Sequence, residues 1–158
     1  MVPRLPSAIG FVLLLWSFPA VSQEDRTIPV PNADIEMRAA IAKARSSLPQ
    51  FWEALAHPRP GETRFALKVA VRDRGHTEHL WLNQIVKLDD RIIGTITDTP
   101  EEVRTVKLGE RYEFTADKIS DWMFRRYGKI VGNETMRVLL KYMTQPEAEH
   151  FRSMLEKP

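Results

Sequence analysis

Apolar residues recur first at helical spacing, then at every second position, and finally at helical spacing again. Between residues 34 and 56 the intervals of three and four residues predict two helices. The first is expected over residues 35–45, behind a cap at Asn32 or Asp34. Its expected buried residues are Ile35, Ala39, Ile41 and Ala42.

A second helix is expected over residues 48–55. Ser47 and Gln50 have the spacing of a capping box, and Pro49 suits a first helical turn. This helix would bury Phe51, Trp52 and Leu55.

Strict alternation begins after the Pro- and Gly-containing loop at residues 57–62. It predicts strands at residues 65–71, 78–88, 92–97 and 111–115, then a hairpin of 121–126 and 129–131 about Tyr127-Gly128. The first three strands are joined by short turns, which indicates an antiparallel meander, since parallel crossovers need a dozen or more residues.

Helical signals also follow the third strand and the hairpin. Thr99 and Pro100 predict one or two helical turns near residues 99–103. Residues 135–143 are expected to form a helix, and a capping box from Thr144 to Glu147 opens a final helix. The predicted fold is therefore one α+β domain, an antiparallel sheet of five or six short strands with N-terminal and C-terminal helices packed on it.

The N-terminal pattern predicts export. Arg4 precedes an apolar run at residues 8–20 that is short for a membrane span, and Ala20 and Ser22 are small residues in signal-peptidase positions. We expect residues 1–22 to be a signal peptide cleaved near Ser22-Gln23, with an uncleaved anchor as the alternative. Residues 23–32 would be a flexible leader and residues 33–158 a single domain, secreted or periplasmic, without an integral membrane segment in the mature chain.

Composition narrows the chemistry. The 158 residues include no Cys, which excludes disulfides, thiolate metal sites and a cysteine nucleophile. The formal net charge is +2 with acids and bases interleaved, so nothing indicates a nucleic-acid partner. No pattern calls for a cofactor.

His76-Thr77-Glu78-His79 is a possible zinc cluster by residue type, but its spacing is unfavourable. On a strand, the side chains at 76 and 78 share a face and that of 79 points to the other. We therefore expect no metal site here.

The second strand has one apolar and one mixed face. Positions 78, 80, 82, 86 and 88 are expected to face the core, which leaves His79, Trp81 and Asn83 on the opposite face, where the N-terminal helices could cover them. Glu78 would then be an acid on the apolar face that needs water or a partner, such as Lys68, Arg111 or Arg137.

Asp121, next to Trp122, could be a general base, a ligand-orienting carboxylate or the acceptor that holds a turn. Gly132-Asn-Glu-Thr135 leads into a helix N-terminus, whose amides would receive an anion or, by default, a capping oxygen. We expect the hairpin to bring Asp121, Lys129, Thr135 and Arg137 near one another.

These motifs together resemble the bacterial YegJ-like family, domain of unknown function 2314 (DUF2314), over about residues 40–142. The resemblance rests on Ala44-Arg45, Phe51, Lys68, Glu78-His79-x-Trp81, Gly94, Pro100, Ile119-x-Asp121-Trp122, Gly128-Lys129 and Gly132-x-x-Thr135-x-Arg137. It implies an exported or cell-envelope protein and supplies no reaction, ligand or partner. The motif positions that it marks as candidate binding residues are Glu78, His79, Trp81, Asp121, Trp122, Lys129, Thr135 and Arg137.

The sequence thus favours a non-enzymatic binding or interaction module of the cell envelope, with a small ligand or an envelope protein as partner. The alternative is a small hydrolase-like enzyme with Asp121 or His79 as general base. Convergence of Glu78, His79 and Asp121 in one open pocket would favour the enzyme. A third possibility is that every motif residue is structural and that an exposed loop, 72–76 or 98–102, carries the function.

Overall fold

A computed structural model describes residues 35–157 as a six-stranded antiparallel sheet flanked by four helices. The strands lie in the order β4-β3-β2-β1-β5-β6. Their bounds are Glu62–Asp73 (β1), His76–Leu88 (β2), Arg91–Ile96 (β3), Arg111–Phe114 (β4), Ile119–Arg126 (β5) and Lys129–Gly132 (β6). The predicted α+β class is confirmed, and so is the meander, because β1 to β4 pair in sequence and β5 returns to the free side of β1.

The helices lie at both ends of the described chain: Ile35–Ser46 (α1), Leu48–Ala56 (α2), Glu134–Leu139 (α3) and Gln145–Met154 (α4). Short 3₁₀ turns cover residues 116–118 and 140–142, so the helix expected over 135–143 is shorter than predicted. Within residues 35–157, no helix combines the length and the apolar character that crossing a bilayer requires.

The main core lies on one face of the sheet. Helix α2 inserts Phe51 against the rings of Phe65 and Trp122, with centroids 6.0 and 5.9 Å apart. The segment between β3 and β4 adds Val103 and Val106 to the same core. Apolar side chains of β1, β2, β3 and β5 complete it: Leu67, Val69, Val71, Leu80, Leu82, Ile92, Ile96, Ile119 and Phe124.

Helix α1 buries a different stripe from the predicted one. Met37 and Ala40 pack with Val138 of α3, whereas Ala39 and Ala42 are exposed, Ile41 is half-buried and Ile35 is 74% exposed. The prediction was wrong because α1 packs against another helix as well as against the sheet. The caps expected at Asn32 or Asp34 lie outside the described residues.

The capping box expected at the start of α2 does not form. The Ser47 hydroxyl donates back to the carbonyl oxygens of Lys43 and Ala44, at 2.9 and 3.1 Å, and makes no cap bond to α2. Helix α2 follows α1 so closely that this side chain serves the end of α1 instead.

Strand β2 changes face in its middle. Gln84 has a φ of +49°, and the pairing with β3 slips between Asn83 and Val86. Leu80 and Leu82 face the core as predicted, but beyond this bulge Ile85 packs against the core, while Val86 and Leu88 are 42% and 46% exposed. The predicted cover of His79 and Trp81 by the N-terminal helices is also wrong, because Phe51 packs on the other face.

The helical turn predicted at residues 99–103 is absent. The Glu78 carboxylate accepts hydrogen bonds from the backbone N–H groups of Glu101, Glu102 and Val103 at 2.9 to 3.2 Å. These bonds hold the segment over the end of β2 as an irregular loop.

Two other local predictions are confirmed. Tyr127-Gly128 forms the hairpin turn, with φ of 47° and 82°, and the capping box from Thr144 to Glu147 opens α4.

Candidate functional site

Asp121 closes the N-terminus of α3 from a neighbouring strand. Its fully buried carboxylate accepts from the Thr135 hydroxyl at 2.6 Å and from the Thr135 and Glu134 amides at 2.7 and 3.2 Å. The Trp122 amide, at 2.8 Å, supplies a fourth bond. Asp121 is therefore a helix cap provided by the tertiary structure, and it accepts four hydrogen bonds within the protein.

The backbone before α3 is shaped to reach this acid. Gly132 has a φ of +81°, and a Cβ there would lie 2.4 Å from the Trp122 carbonyl oxygen. That same oxygen accepts the Asn133 amide at 2.9 Å. Burial raises the pKa of the Asp121 carboxyl, while the bonds from Thr135 and Trp122 and the charge of Lys68 oppose that rise.

Other candidate residues also have partners within the protein. Trp122 is buried in the core and donates its indole N–H to the Ala44 carbonyl at 2.9 Å. Glu78 holds the 101–103 backbone, so none of the expected partners Lys68, Arg111 and Arg137 is needed.

Lys129 and Arg137 serve the C-terminal segment. Lys129 donates to the Ser153 carbonyl at 2.6 Å, and Arg137 donates to the Glu156 carbonyl at 2.9 Å. Nε of Arg137 is 3.8 Å from a Glu134 carboxylate oxygen. Of the four residues expected to meet after the hairpin, the structure brings Asp121 and Thr135 together, whereas Lys129 and Arg137 bond elsewhere.

A bulge in β5 creates a different arrangement on the second face of the sheet. Lys68 pairs with Asp121 and Val69 with Ile119, which leaves Ser120 without a register partner. The buried Ser120 hydroxyl donates to the Lys68 carbonyl oxygen at 3.2 Å and lies 2.8 Å from Nδ1 of His79. The contact with Ser120 uses Nδ1 of His79, so in either tautomer of the ring Nε2 is left to make a hydrogen bond elsewhere.

Lys68 lies beside this histidine. It pairs across the strands with Trp81, and its ammonium is 5.5 Å from the centroid of the Trp81 ring, a cation–π contact. The Trp81 amide is bonded to the Asp98 carboxylate at 2.8 Å, which fixes the strand beneath the lysine. We call the three half-buried side chains Lys68, His79 and Trp81 the sheet-face patch.

The electrostatics of the sheet-face patch keep the histidine neutral. Burial, then the charges of Lys68 and Arg45, lower the pKa of His79 to about 4. Burial also lowers the pKa of Lys68, and the carboxylates of Asp121 and Asp98 oppose that effect. At neutral pH the imidazole of the sheet-face patch is therefore neutral, and the carboxylates of Asp121 and Asp98 favour the charged form of Lys68 beside it.

The patch is a partly accessible surface and not a pocket in which the candidate acids converge. Asp121 is enclosed by α3, Glu78 lies under the 101–103 loop, and His79 bonds Ser120. Two depressions of about 270 and 410 Å³ are lined by residues 91, 112–115 and 118, and by residues 72–77. Neither contains Lys68 or His79.

The zinc hypothesis finds no cluster in the part of the chain that the structure describes. Between residues 35 and 157 no three His, Cys, Asp or Glu side chains are placed to hold a metal ion. His76 lies 3.9 Å from Glu102 at the hairpin end, away from the Ser120 contact of His79.

Sequence reasoning did not select two residues that organise the sheet-face patch, Lys68 and Ser120. Lys68 did carry a signal, since it is the charged residue inside the otherwise apolar run of residues 65–71. Ser120 carried none, because its role depends on a bulge that arises from pairing with β1.

Comparisons with known proteins agree with the motif resemblance. The profile of a family described as "Uncharacterized protein conserved in bacteria (DUF2314)" matches residues 34–155. The chain is 32% identical over 144 residues to "Uncharacterized protein YegJ" of Escherichia coli strain K12, covering 90% of this chain and 93% of that protein. It is also 32% identical over 130 residues to a Neisseria meningitidis serogroup B protein named "Putative ankyrin repeat protein". That match covers 77% of this chain and 51% of the Neisseria protein. No solved structure matches.

Proposed function

Because this chain belongs to the bacterial family DUF2314, we propose a function from its own residues: it is an exported binding module of the cell envelope. The sheet-face patch is its ligand-contacting surface, and it binds a ligand without transforming it.

One observation carries the proposal. Among the charged and imidazole groups at the motif positions, the Lys68 ammonium and Nε2 of His79 make no hydrogen bond with the described residues, although both side chains are half-buried. Nε of Arg137 also lacks a hydrogen bond, but it is buried beside the Glu134 carboxylate and its guanidinium already bonds Glu156. Desolvated polar groups usually have partners, because an unmade bond costs free energy. A ligand that supplies those bonds would recover this free energy on binding.

The hydrolase alternative gains little from the same geometry. The Asp121 carboxylate is surrounded by its own four donors, so it cannot reach a substrate proton without opening α3. His79 is a weak base at neutral pH, since its pKa is lowered to about 4. Nε2 can form a hydrogen bond with a ligand at that pH, which suits ligand binding better than proton abstraction.

Binding is tested by thermal shift on the mature chain with acetate, phosphate, glucose and soluble peptidoglycan fragments. We expect at least one compound to raise the Tm of the wild type, and this rise to be lost in Lys68→Met. Lys107→Met, at an exposed position outside the sheet-face patch, should respond like the wild type. The proposal fails if Lys68→Met and His79→Phe keep the full response, or if no compound in this set produces one.

Export is tested separately by mass spectrometry of the N-terminus after cell fractionation. We expect the periplasmic or secreted protein to begin at Gln23, because Ala20 and Ser22 match the processing site. Ala20→Asp should accumulate as unprocessed precursor. A wild-type protein that keeps Met1 and stays in the cytoplasm contradicts export and leaves the binding test valid.

A further inference from the structure

We propose that the ligand is an acidic saccharide, or a closely similar polyhydroxy acid, whose carboxylate binds Lys68 and whose hydroxyl forms a hydrogen bond with Nε2 of His79. This inference rests on the proposed binding function and names its ligand class. It follows from the donor and acceptor pattern of the sheet-face patch and from the charges around it.

The cationic half of the site is held in place before a ligand arrives. Lys68 extends over the Trp81 ring. Trp81 is itself fixed by the hydrogen bond from its backbone N–H to the Asp98 carboxylate. An ammonium has three N–H donors and no acceptor, and none of the hydrogen bonds within residues 35–157 uses them. The ligand must therefore present acceptor oxygens at this point.

The imidazole offers one further hydrogen bond. Nδ1 of His79 is 2.8 Å from the Ser120 hydroxyl, and Nε2 remains available to a ligand. A hydroxyl fits Nε2 in either tautomer of the ring, because it both donates and accepts. Lys68 pairs with Trp81 and Ala70 with His79, and such diagonal neighbours have Cα atoms about 7–8 Å apart. The ligand must therefore offer acceptor oxygens for Lys68 and, within a few ångströms, a hydroxyl for His79.

Local charge selects a single negative charge. Lys68 and Arg45 act on His79 from β1 and α1, while the carboxylates of Asp98 and Asp121 act on Lys68 from the loop after β3 and from β5. Because Asp98 and Asp121 lie near enough to act on Lys68, a ligand with one negative charge is repelled less than a ligand with two. A phosphate dianion would add a second charge next to two fixed carboxylates, which is unfavourable. A saccharide acid satisfies both halves with one charge and several hydroxyls.

Three ring compounds of similar size separate the two contacts. D-Glucuronate carries both the carboxylate and hydroxyls, D-glucuronamide lacks the charge, and cyclohexanecarboxylate lacks the hydroxyls. Binding of each to the mature chain is followed by NMR through the Lys68 ammonium and the His79 ring nitrogens. We expect D-glucuronate to bind about tenfold or more tightly than D-glucuronamide, which loses a bond involving a charged group, and about threefold or more tightly than cyclohexanecarboxylate, which loses a neutral hydrogen bond.

Matched variants assign each preference to a residue. Lys68→Met should remove the preference for D-glucuronate over D-glucuronamide, and Lys68→Arg should restore part of it. His79→Phe should remove the preference over cyclohexanecarboxylate, and Lys107→Met should keep both. Amide spectra of each variant check that the fold is retained.

The outcomes separate the ligand class from the proposed function. Equal affinity for D-glucuronate and cyclohexanecarboxylate, equal affinity for D-glucuronamide, or no binding of D-glucuronate overturns the acidic-saccharide inference. If another compound of the thermal-shift set still perturbs Lys68 and His79, the binding function stands with a different ligand. Failure of that whole set as well overturns both.

Discussion

The Asp121 cap and the sheet-face patch lie on facing strand positions, yet one is closed and the other is open. Asp121 accepts four hydrogen bonds from its surroundings and is fully buried. Its register partner Lys68 is half-buried over Trp81, and its ammonium makes no hydrogen bond with the residues described. A charged motif residue therefore indicates a binding role only when its hydrogen bonds remain unmade, because a satisfied buried charge already has a structural role.

The largest expected effect on stability tests the Asp121 cap. Asp121→Ala leaves the Trp122, Glu134 and Thr135 amides without their acceptor, and we expect it to lower the free energy of unfolding by about 3–5 kcal/mol. Urea denaturation measures the loss. Asp117→Ala is the control, since this exposed side chain bonds Thr115 and Lys118 at the surface and its removal should have little effect. A variant at position 121 as stable as the wild type would contradict the cap.

Acid should weaken the protein through His79. The pKa of about 4 in the folded state is below the ordinary value of 6.5, so the unfolded chain binds a proton first as pH falls. The associated stability is complete above pH 6.5 and is lost progressively toward pH 4, by roughly 1–3 kcal/mol in all.

His79→Gln provides the matched measurement of this pH dependence. It removes the titration and can keep a hydrogen bond to Ser120. The charged neighbours of the ring and of Lys68 remain in both proteins, so the difference between the two stability curves reports His79; these neighbours are Lys68, Arg45, Asp98 and Asp121. Parallel curves from pH 7 to pH 4 would show that the ring is not buried as a neutral group.

Glu78 should stabilise the fold as Asp121 does, but its loss should lower stability less. Glu78→Ala frees the N–H groups of the 101–103 loop, which are near solvent, so we expect a loss of about 1–2 kcal/mol, comparable with a helix cap. Glu78→Gln keeps one acceptor oxygen and should lose less. Urea denaturation measures both variants, and amide hydrogen exchange at residues 101–103 shows whether the loop is the part released. Unchanged exchange in Glu78→Ala would contradict this role.

The smallest expected effect on stability tests the sheet-face patch. Lys68→Met removes a partly desolvated charge and keeps the packing of the side-chain stem on Trp81, so stability should be unchanged or higher by up to about 1 kcal/mol. Lys107→Met, measured by the same urea denaturation, sets the baseline for losing an exposed lysine. A loss of stability as large as that of Asp121→Ala would remove the distinction between the Asp121 cap and the sheet-face patch.

The local sequence determined much of this fold. Alternation located the strands within a few residues, Tyr127-Gly128 specified the hairpin turn, and the box at Thr144 specified the start of α4. These features depend on neighbouring residues, whose sterics and capping bonds act over one or two turns of chain. The bulge at Gln84 could not be predicted from the local sequence, because it depends on the register between β2 and β3. This bulge exchanges the core-facing and solvent-facing positions in the second half of β2.

The tertiary structure decided which chemical role each motif residue has. The sequence showed that Asp121, Glu78, His79 and Lys68 were charged or polar among apolar neighbours, but not which donors would meet them. The Glu134 and Thr135 amides that bind Asp121 lie 13 and 14 residues away, those that bind Glu78 lie 23 to 25 away, and Ser120 meets His79 across 41 residues. Hydrogen bonding is short-ranged in space and indifferent to distance along the chain, so only the folded sheet could separate the closed charges from the open ones.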